Sequence, residues 1–133
     1  MSGSGYISID RTDRKSAFRS LRRAAGIIRN GTSVLIFPEG TRSADGHIQG
    51  FKKGGFILAV DAGVPIVPIV IHGTRALMPK HRLRVRPGRV RLEVLPPIAT
   101  ATYSRKTKDE LIAAVRKVLI EAHERVQKGE PAC

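Results

Sequence analysis

Apolar and polar positions alternate along the chain with two different periods. Tyr6–Ile9 (YISI) reads as a short strand. From Asp13 to Gly31, DRKSAFRSLRRAAGIIRNG repeats its apolar residues at helical spacing, placing Phe18, Leu21, Ala25 and Ile28 on one face with Gly31 as the stop. Ser33–Phe37 (SVLIF) is an unbroken apolar run, the pattern of a buried strand. A polar, glycine-rich loop, GTRSADGHIQG, then leads to a second helix predicted over Gly54–Ala62 and closed by Gly63. Ile66–His72 predicts another buried strand, which Pro65 and Pro68 confine to an edge, an end or a bulge because proline cannot donate to a ladder. RLRVRPGRVRLEVL alternates on both sides of Pro87-Gly88 and predicts a hairpin. Thr107 and Glu110 form a capping-box pattern ahead of a last helix with Leu111, Val115, Val118, Leu119 and Ala122 as its stripe. Strands alternating with helices predict an α/β domain, a layered mixed sheet flanked by helices.

Composition narrows this picture. A chain of 133 residues suits one domain spanning residues 1–133, with residues 1–4 linker-like. Its 41% hydrophobic content is that of a globular protein, and with 5% aromatics and no Trp the core must be aliphatic. Lys and Arg number 24 against 11 acids, a net charge of +13 that predicts an anionic partner: nucleic acid, an acidic membrane surface or a phosphorylated small molecule. The sole cysteine, Cys133, excludes an intramolecular disulfide. The start has no apolar stretch of signal-peptide length, and VPIVPIVI is too short and too proline-broken to span a bilayer. The expectation is a chain that does not cross a membrane and can sit on one.

The candidate chemistry lies in FPEGTRS, Phe37 to Ser43. A turn after a strand needs glycine, and it does not need two opposite charges. Arg11 follows the first strand, Arg42 the second, and Lys52 precedes the glycine pair Gly54-Gly55 that opens a helix. Neighbouring strands would gather these cations at one sheet edge, where open α/β sheets hold ligands. The arginine fork, the lysine point charge and amides at a helix N-terminus would then form a phosphate cradle. Glu39 repels a phosphate, so its role is either to fix Arg42 or to accept a hydrogen bond from a hydroxyl beside the phosphate, which favours a phosphorylated polyol. Gly40 would let the ligand approach the backbone, and Thr41 could donate its hydroxyl. Taken alone, Glu39 and Arg42 serve equally well as a local surface ion pair, Arg11 and Lys53 as solvated cations, and His47 as an ordinary loop histidine.

In order along the chain, GYISIDR, FPEGTRS followed by GFKKG, and VPIVPI resemble the second, third and fourth blocks of the glycerophospholipid acyltransferases, in particular the 1-acylglycerol-3-phosphate acyltransferases. RVRLEVLPPI resembles the segment that follows them, so the likeness runs from about Gly5 to the last helix. The resemblance implies that Arg11, Glu39, Gly40, Arg42 and Lys52 line the glycerophosphate site, which Thr41 joins on the reading of its hydroxyl given above. It implies that the fourth block, with Val64, Pro65, Ile66, Val67 and Pro68, shapes the acyl-donor side. It further implies transfer of a fatty acyl group from acyl-CoA or acyl-carrier protein to lysophosphatidic acid, giving phosphatidic acid in phospholipid biosynthesis. No metal and no prosthetic group is implied; the acyl donor is a co-substrate. The implied setting is peripheral, on the cytoplasmic side of a membrane.

The family's first block, a His, four residues and an Asp, supplies its general base, and it is absent here. The residues five places after His47, His72, His81 and His123 are Lys52, Leu77, Arg86 and Lys128. The chain thus resembles the part of such an enzyme that begins at the second block, and little or no turnover is expected from these residues alone. A competing reading is a non-catalytic basic module on an anionic membrane surface, supported by seven Lys and Arg and no acid between Arg75 and Arg91. A nucleic-acid role lacks the stacking aromatics or groove-reading motif it would need.

Overall fold

The computed structural model describes residues 14–41, 43, 45–77 and 87–128. Helix α1 (Arg14–Arg29) buries Ala24 and Ala25 against Leu58 and Ala62 of α2 (Gly54–Ala62), with Leu21, Ile28 and Val64 closing the cluster. The two alanines leave no side-chain bulk between the helices, so the backbones can approach closely. Gly31, at φ 97°, ends the first helix, and its N–H donates to the Ile28 carbonyl at 3.0 Å. Gly63 ends the second at φ 68°, its N–H reaching the Ala59 and Val60 carbonyls at 2.9 and 3.2 Å. Both are left-handed C-terminal positions that glycine adopts without a Cβ penalty. Asp61 ties three segments together. Its carbonyl accepts from Arg29 at 2.8 Å, and its carboxylate accepts from Arg105 Nε and Nη2 at 2.7 and 2.5 Å.

Strand β1 (Ile69–His72) pairs antiparallel with β2 (Arg91–Val94), in a register that sets Ile69 opposite Val94 and His72 opposite Arg91. Pairing extends past Pro68, whose carbonyl accepts from Leu95 N at 2.9 Å, to a bridge between Ile66 and Ile98, offset by one residue. That offset is a bulge at Pro96-Pro97, so the proline punctuation falls where the ladder is already broken. A short helix α3 (Thr74–Leu77) follows β1.

The last helix, α4 (Lys108–Gln127), buries Leu111, Val115, Leu119 and Ala122 against Phe56 of α2, Val70 of β1 and Leu95 just after β2. The spacing of that stripe is the helical one read in the sequence. Phe51 and Phe56 stack beside it with centroids 6.0 Å apart. Helices α2 and α4 therefore cover one face of the β1–β2 pair. On the other face, Val67, Ile69, Ile71, Val90, Leu92 and Val94 are 40–65% exposed.

Three expectations are corrected, and a fourth, the hairpin, falls partly outside the described residues. The apolar run 66–72 is covered on one side only among the described residues, so it alternates buried and exposed rather than being buried throughout. Ser33–Phe37 is not a strand among the described residues, and Leu35 and Phe37 are 72% and 66% exposed. The second arm of the expected hairpin pairs with β1; the first arm, residues 83–85, lies outside the described residues, as does Tyr6–Ile9. Thr107 sits at the N-cap of α4 without capping it, because its Oγ1 accepts from Ser104 N at 2.9 Å, a tight local turn that takes the hydroxyl away from the helix amides.

Candidate functional site

The loop after Phe37 is organised by its own polar groups. Gly40 N donates to the Phe37 carbonyl at 3.1 Å, and Gly40 has φ 69°, the left-handed region. Lys52 N donates to the Pro38 carbonyl at 2.7 Å, joining the far end of the loop to its start. Between them, Asp45 Oδ1 accepts from Ser43 Oγ at 2.7 Å, His47 N at 3.0 Å and Gln49 Nε2 at 3.2 Å, while Gly46 N donates to Ser43 Oγ at 2.8 Å. Glu39 Oε2 accepts from Gln49 N at 2.9 Å. The carboxylate proposed to steer a substrate is therefore anchored by one oxygen to the loop's own backbone.

The Ser43 hydroxyl, and after it the His47 amide, hold the Asp45 carboxyl below its ordinary value of 3.8. A depressed carboxylate contributes order that is complete above the unfolded value and is lost as pH falls through the folded one. An acid titration that follows the Asp45 carboxyl carbon by nuclear magnetic resonance is therefore expected to show its midpoint below the ordinary 3.8. A shift centred above pH 5 would contradict the assignment.

Helix α4 grips this loop from the side. Arg116 Nη2 donates to the Ile48 carbonyl at 3.0 Å, with Nε 3.5 Å from that of Gln49. His123 Nε2 lies 3.2 Å from the Gly46 carbonyl, and its ring stacks on that of His72, centroids 5.8 Å apart. Behind that stack, buried Glu93 lies 3.4 Å from His72 Nε2 and accepts from Arg125 at 3.0 Å. A chain of polar contacts thus runs from β2 through α4 to the loop.

Of the residues singled out in the sequence, Glu39, Gly40 and Lys52 come together. The Lys52 stem runs over Gly40, Cγ and Cε standing 3.7 and 3.8 Å from where a Cβ would be, and Lys52 has no ion-pair partner among the described residues. Thr41 is exposed beside them. Arg11 and Arg42 lie outside the described residues. Lys53 faces away, 3.2 Å from Asp109, whose carboxyl it holds below the ordinary range by hydrogen bonding. Gly55 does not open onto an anion: a Cβ there would meet Ile36 Cδ1 and Cγ2 at 3.0 and 3.1 Å, so its smallness serves packing, while Gly54 is unobstructed. In the fourth block, Val64 is half-buried and its carbonyl accepts from Thr100 Oγ1 at 2.9 Å. Pro65 and Val67 are exposed, Ile66 is half-buried against the core, and Pro68 is buried. Two surface hollows of about 400 and 520 Å³ run along α4, and neither includes the loop.

Sequence reasoning missed Gln49, Arg116 and His123. Ser43 and Asp45-Gly46 carry the composition of an Asx-type turn, a local signal. Nothing local marks Arg116, which reads as one more cation on an amphipathic helix.

The family model described as Acyltransferase matches residues 1–72. A 1-acyl-sn-glycerol-3-phosphate acyltransferase of Chlamydomonas reinhardtii is 41% identical over 119 residues, covering 86% of this chain and 34% of that protein. The mouse 1-acyl-sn-glycerol-3-phosphate acyltransferase alpha is 36% identical over 118 residues, covering 87% and 41%. Among solved structures, the 1-acyl-sn-glycerophosphate (LPA) acyltransferase PlsC of Thermotoga maritima superposes with a TM-score of 0.74 at 39% identity, covering 84% of this chain and 45% of that one. The chain spans less than half the length of each of these relatives.

Proposed function

Since this chain belongs to the Acyltransferase family, we propose that it forms the acceptor-binding part of an enzyme that acylates lysophosphatidic acid to phosphatidic acid in phospholipid biosynthesis. The observation that carries the reading is that its relatives bearing that activity in their names align over 116–119 residues, a span that takes in most of the chain. In the proposed reaction the free hydroxyl of the acceptor attacks the thioester carbonyl of acyl-CoA or acyl-carrier protein. A base takes the hydroxyl proton, and the thiolate leaves. Arg11, Arg42 and Lys52 hold the acceptor phosphate, Gly40 and Thr41 edge the pocket, and Glu39 accepts from the glycerol hydroxyl with the oxygen that Gln49 leaves open. Val64–Pro68 borders the acyl-donor side. Acyl transfer of this kind proceeds without a metal or prosthetic group.

The base is not among the described histidines. His72 Nε2 faces buried Glu93, and His123 Nε2 faces the Gly46 carbonyl. His47 is exposed on the loop. A working base needs an oriented imidazole within reach of the hydroxyl. With no His followed five places later by Asp anywhere in the sequence, little or no turnover is expected from these 133 residues by themselves.

Membrane association belongs to the same proposal. No helix among the described residues is long and apolar enough to cross a membrane. The net charge of +13 and the exposed Arg19, Arg22 and Arg23 of α1 favour peripheral contact with an anionic, cytoplasm-facing lipid surface, where the acceptor resides.

Calorimetry with lysophosphatidate tests the pocket. Losing a charge-assisted bond to phosphate is expected to weaken binding about 10- to 100-fold in Arg42→Ala. Lys53→Ala, which removes an exposed ion pair on the other side, is expected to change it about twofold or less. Equal, small losses in both would remove the assignment.

A further inference from the structure

The peptide group between Ile48 and Gln49 has a guanidinium on one side and a carboxylate on the other. Its carbonyl accepts from Arg116 Nη2 at 3.0 Å, and its N–H donates to Glu39 Oε2 at 2.9 Å. The chain has no cis peptide bond among the described residues, so the C=O and N–H of this unit point in opposite directions. Arg116 and Glu39 thus pull on opposite ends of one rigid dipole.

Arg116 has no carboxylate partner among the described residues. Its charge is directed at the two successive carbonyls of Ile48 and Gln49, in the fork geometry that lysine cannot reproduce. A cation on the carbonyl polarises the peptide and strengthens donation from its N–H, as hydrogen bonds in series do. The base of Arg116 is itself fixed, because its neighbour Val115 is 3% exposed within the core. His123, two turns further along α4, adds a second hold at the Gly46 carbonyl.

We propose that Arg116 is a positioning residue for Glu39, acting through the Ile48–Gln49 peptide to fix the carboxylate that meets the hydroxyl of the acceptor's glycerol. This deepens the acyltransferase reading and rests on it. Without Arg116 the peptide is free to turn, Gln49 N–H leaves Glu39, and the carboxylate swings over several rotamers. Phosphate binding through Lys52 is expected to survive that change, since Lys52 N is held by the Pro38 carbonyl.

The test compares two soluble probes by calorimetry, glycerol 3-phosphate and inorganic phosphate, on the full chain and on Arg116→Ala, Arg116→Lys and Lys117→Ala. Lys117 is an exposed neighbour, 3.9 Å from Glu121, and serves as the control. The proposal expects Arg116→Ala to lose about tenfold in affinity for glycerol 3-phosphate, with phosphate affinity unchanged, partial recovery in Arg116→Lys and no effect of Lys117→Ala. Equal loss for both probes would mean general loosening of the loop and would overturn it, as would no loss for either.

Hydrogen exchange at the Gln49 amide is the ligand-free readout. It is expected to speed up about tenfold in Arg116→Ala, and not in Lys117→Ala. Should the unaltered chain fail to prefer glycerol 3-phosphate over phosphate, the acceptor reading falls; the Gln49 amide still decides whether Arg116 governs the Glu39 contact, and unchanged exchange there overturns the proposal.

Discussion

Gly73→Ala is expected to lower stability by about 3 kcal/mol, read as a fall in the urea midpoint without a change in slope. Gly73 follows β1 at φ 88°, where a side chain is strained in any surroundings. A methyl there would also overlap the Arg89 carbonyl, with Val90 Cα at 3.8 Å behind it. That carbonyl is backbone at the entry to β2, so relief requires moving the strand pairing itself. Gly26→Ala supplies the contrast. Gly26 lies inside α1 with nothing within 4 Å of a Cβ, and alanine there is expected to stabilise by about 0.5–1 kcal/mol through helix propensity. If the two substitutions moved the midpoint alike, steric overlap at Gly73 would be refuted.

A comparable loss, about 3 kcal/mol, is expected for Glu93→Ala. Glu93 is 5% exposed and lies between His72 Nε2, at 3.4 Å, and Arg125 Nη2, at 3.0 Å. Its removal takes away the acceptor that a half-buried guanidinium shares with an imidazole that is 9% exposed. Most of the cost is expected from losing that shared buried acceptor. Glu93→Gln keeps the shape and one acceptor, so it should retain a good part of the stability. Thermal unfolding of the pair of variants decides the matter: equal losses would assign the effect to the missing charge, and a midpoint largely kept in Glu93→Gln would assign it to shape and hydrogen bonding. The same substitution should loosen the His72–His123 stack, whose distal ring holds Gly46 in the site loop.

How much of this was legible beforehand depended on whether the signal was local. Helix α2 was readable to the residue, because Gly54 and Gly63 punctuate it and a left-handed stop has few alternatives to glycine. The stripe Leu111, Val115, Leu119, Ala122 followed from spacing alone. Pairing partners were not legible. Arg91–Val94 read as the second arm of a hairpin whose first arm lies outside the described residues; its pairing with Ile69–His72, which brings Val70 and Leu95 over α4, is announced by no local signal. Thr107 misled for a related reason, since two local bonds compete for one hydroxyl and sequence does not rank them.

In the site, Glu39, Gly40 and Lys52 were found through FPEGTRS and the lysine after it, and they do lie together. The meeting of Arg11 and Arg42 with them concerns residues outside those described. The supporting contacts from Arg116 and His123 span 68 and 77 positions of sequence, and no periodicity or spacing rule reaches that far.

The bare side of the β1–β2 pair makes salt the variable that governs this protein's colloidal behaviour. Six aliphatic residues there face water, and a charge of +13 repels other copies of the chain. At low ionic strength that repulsion reaches far enough to keep molecules dispersed. Near 1 M salt the screening length shrinks to about 3 Å, and ions such as sulfate strengthen apolar association as well. Added salt, often used to quiet a basic protein, would here bring the aliphatic sides of separate molecules together.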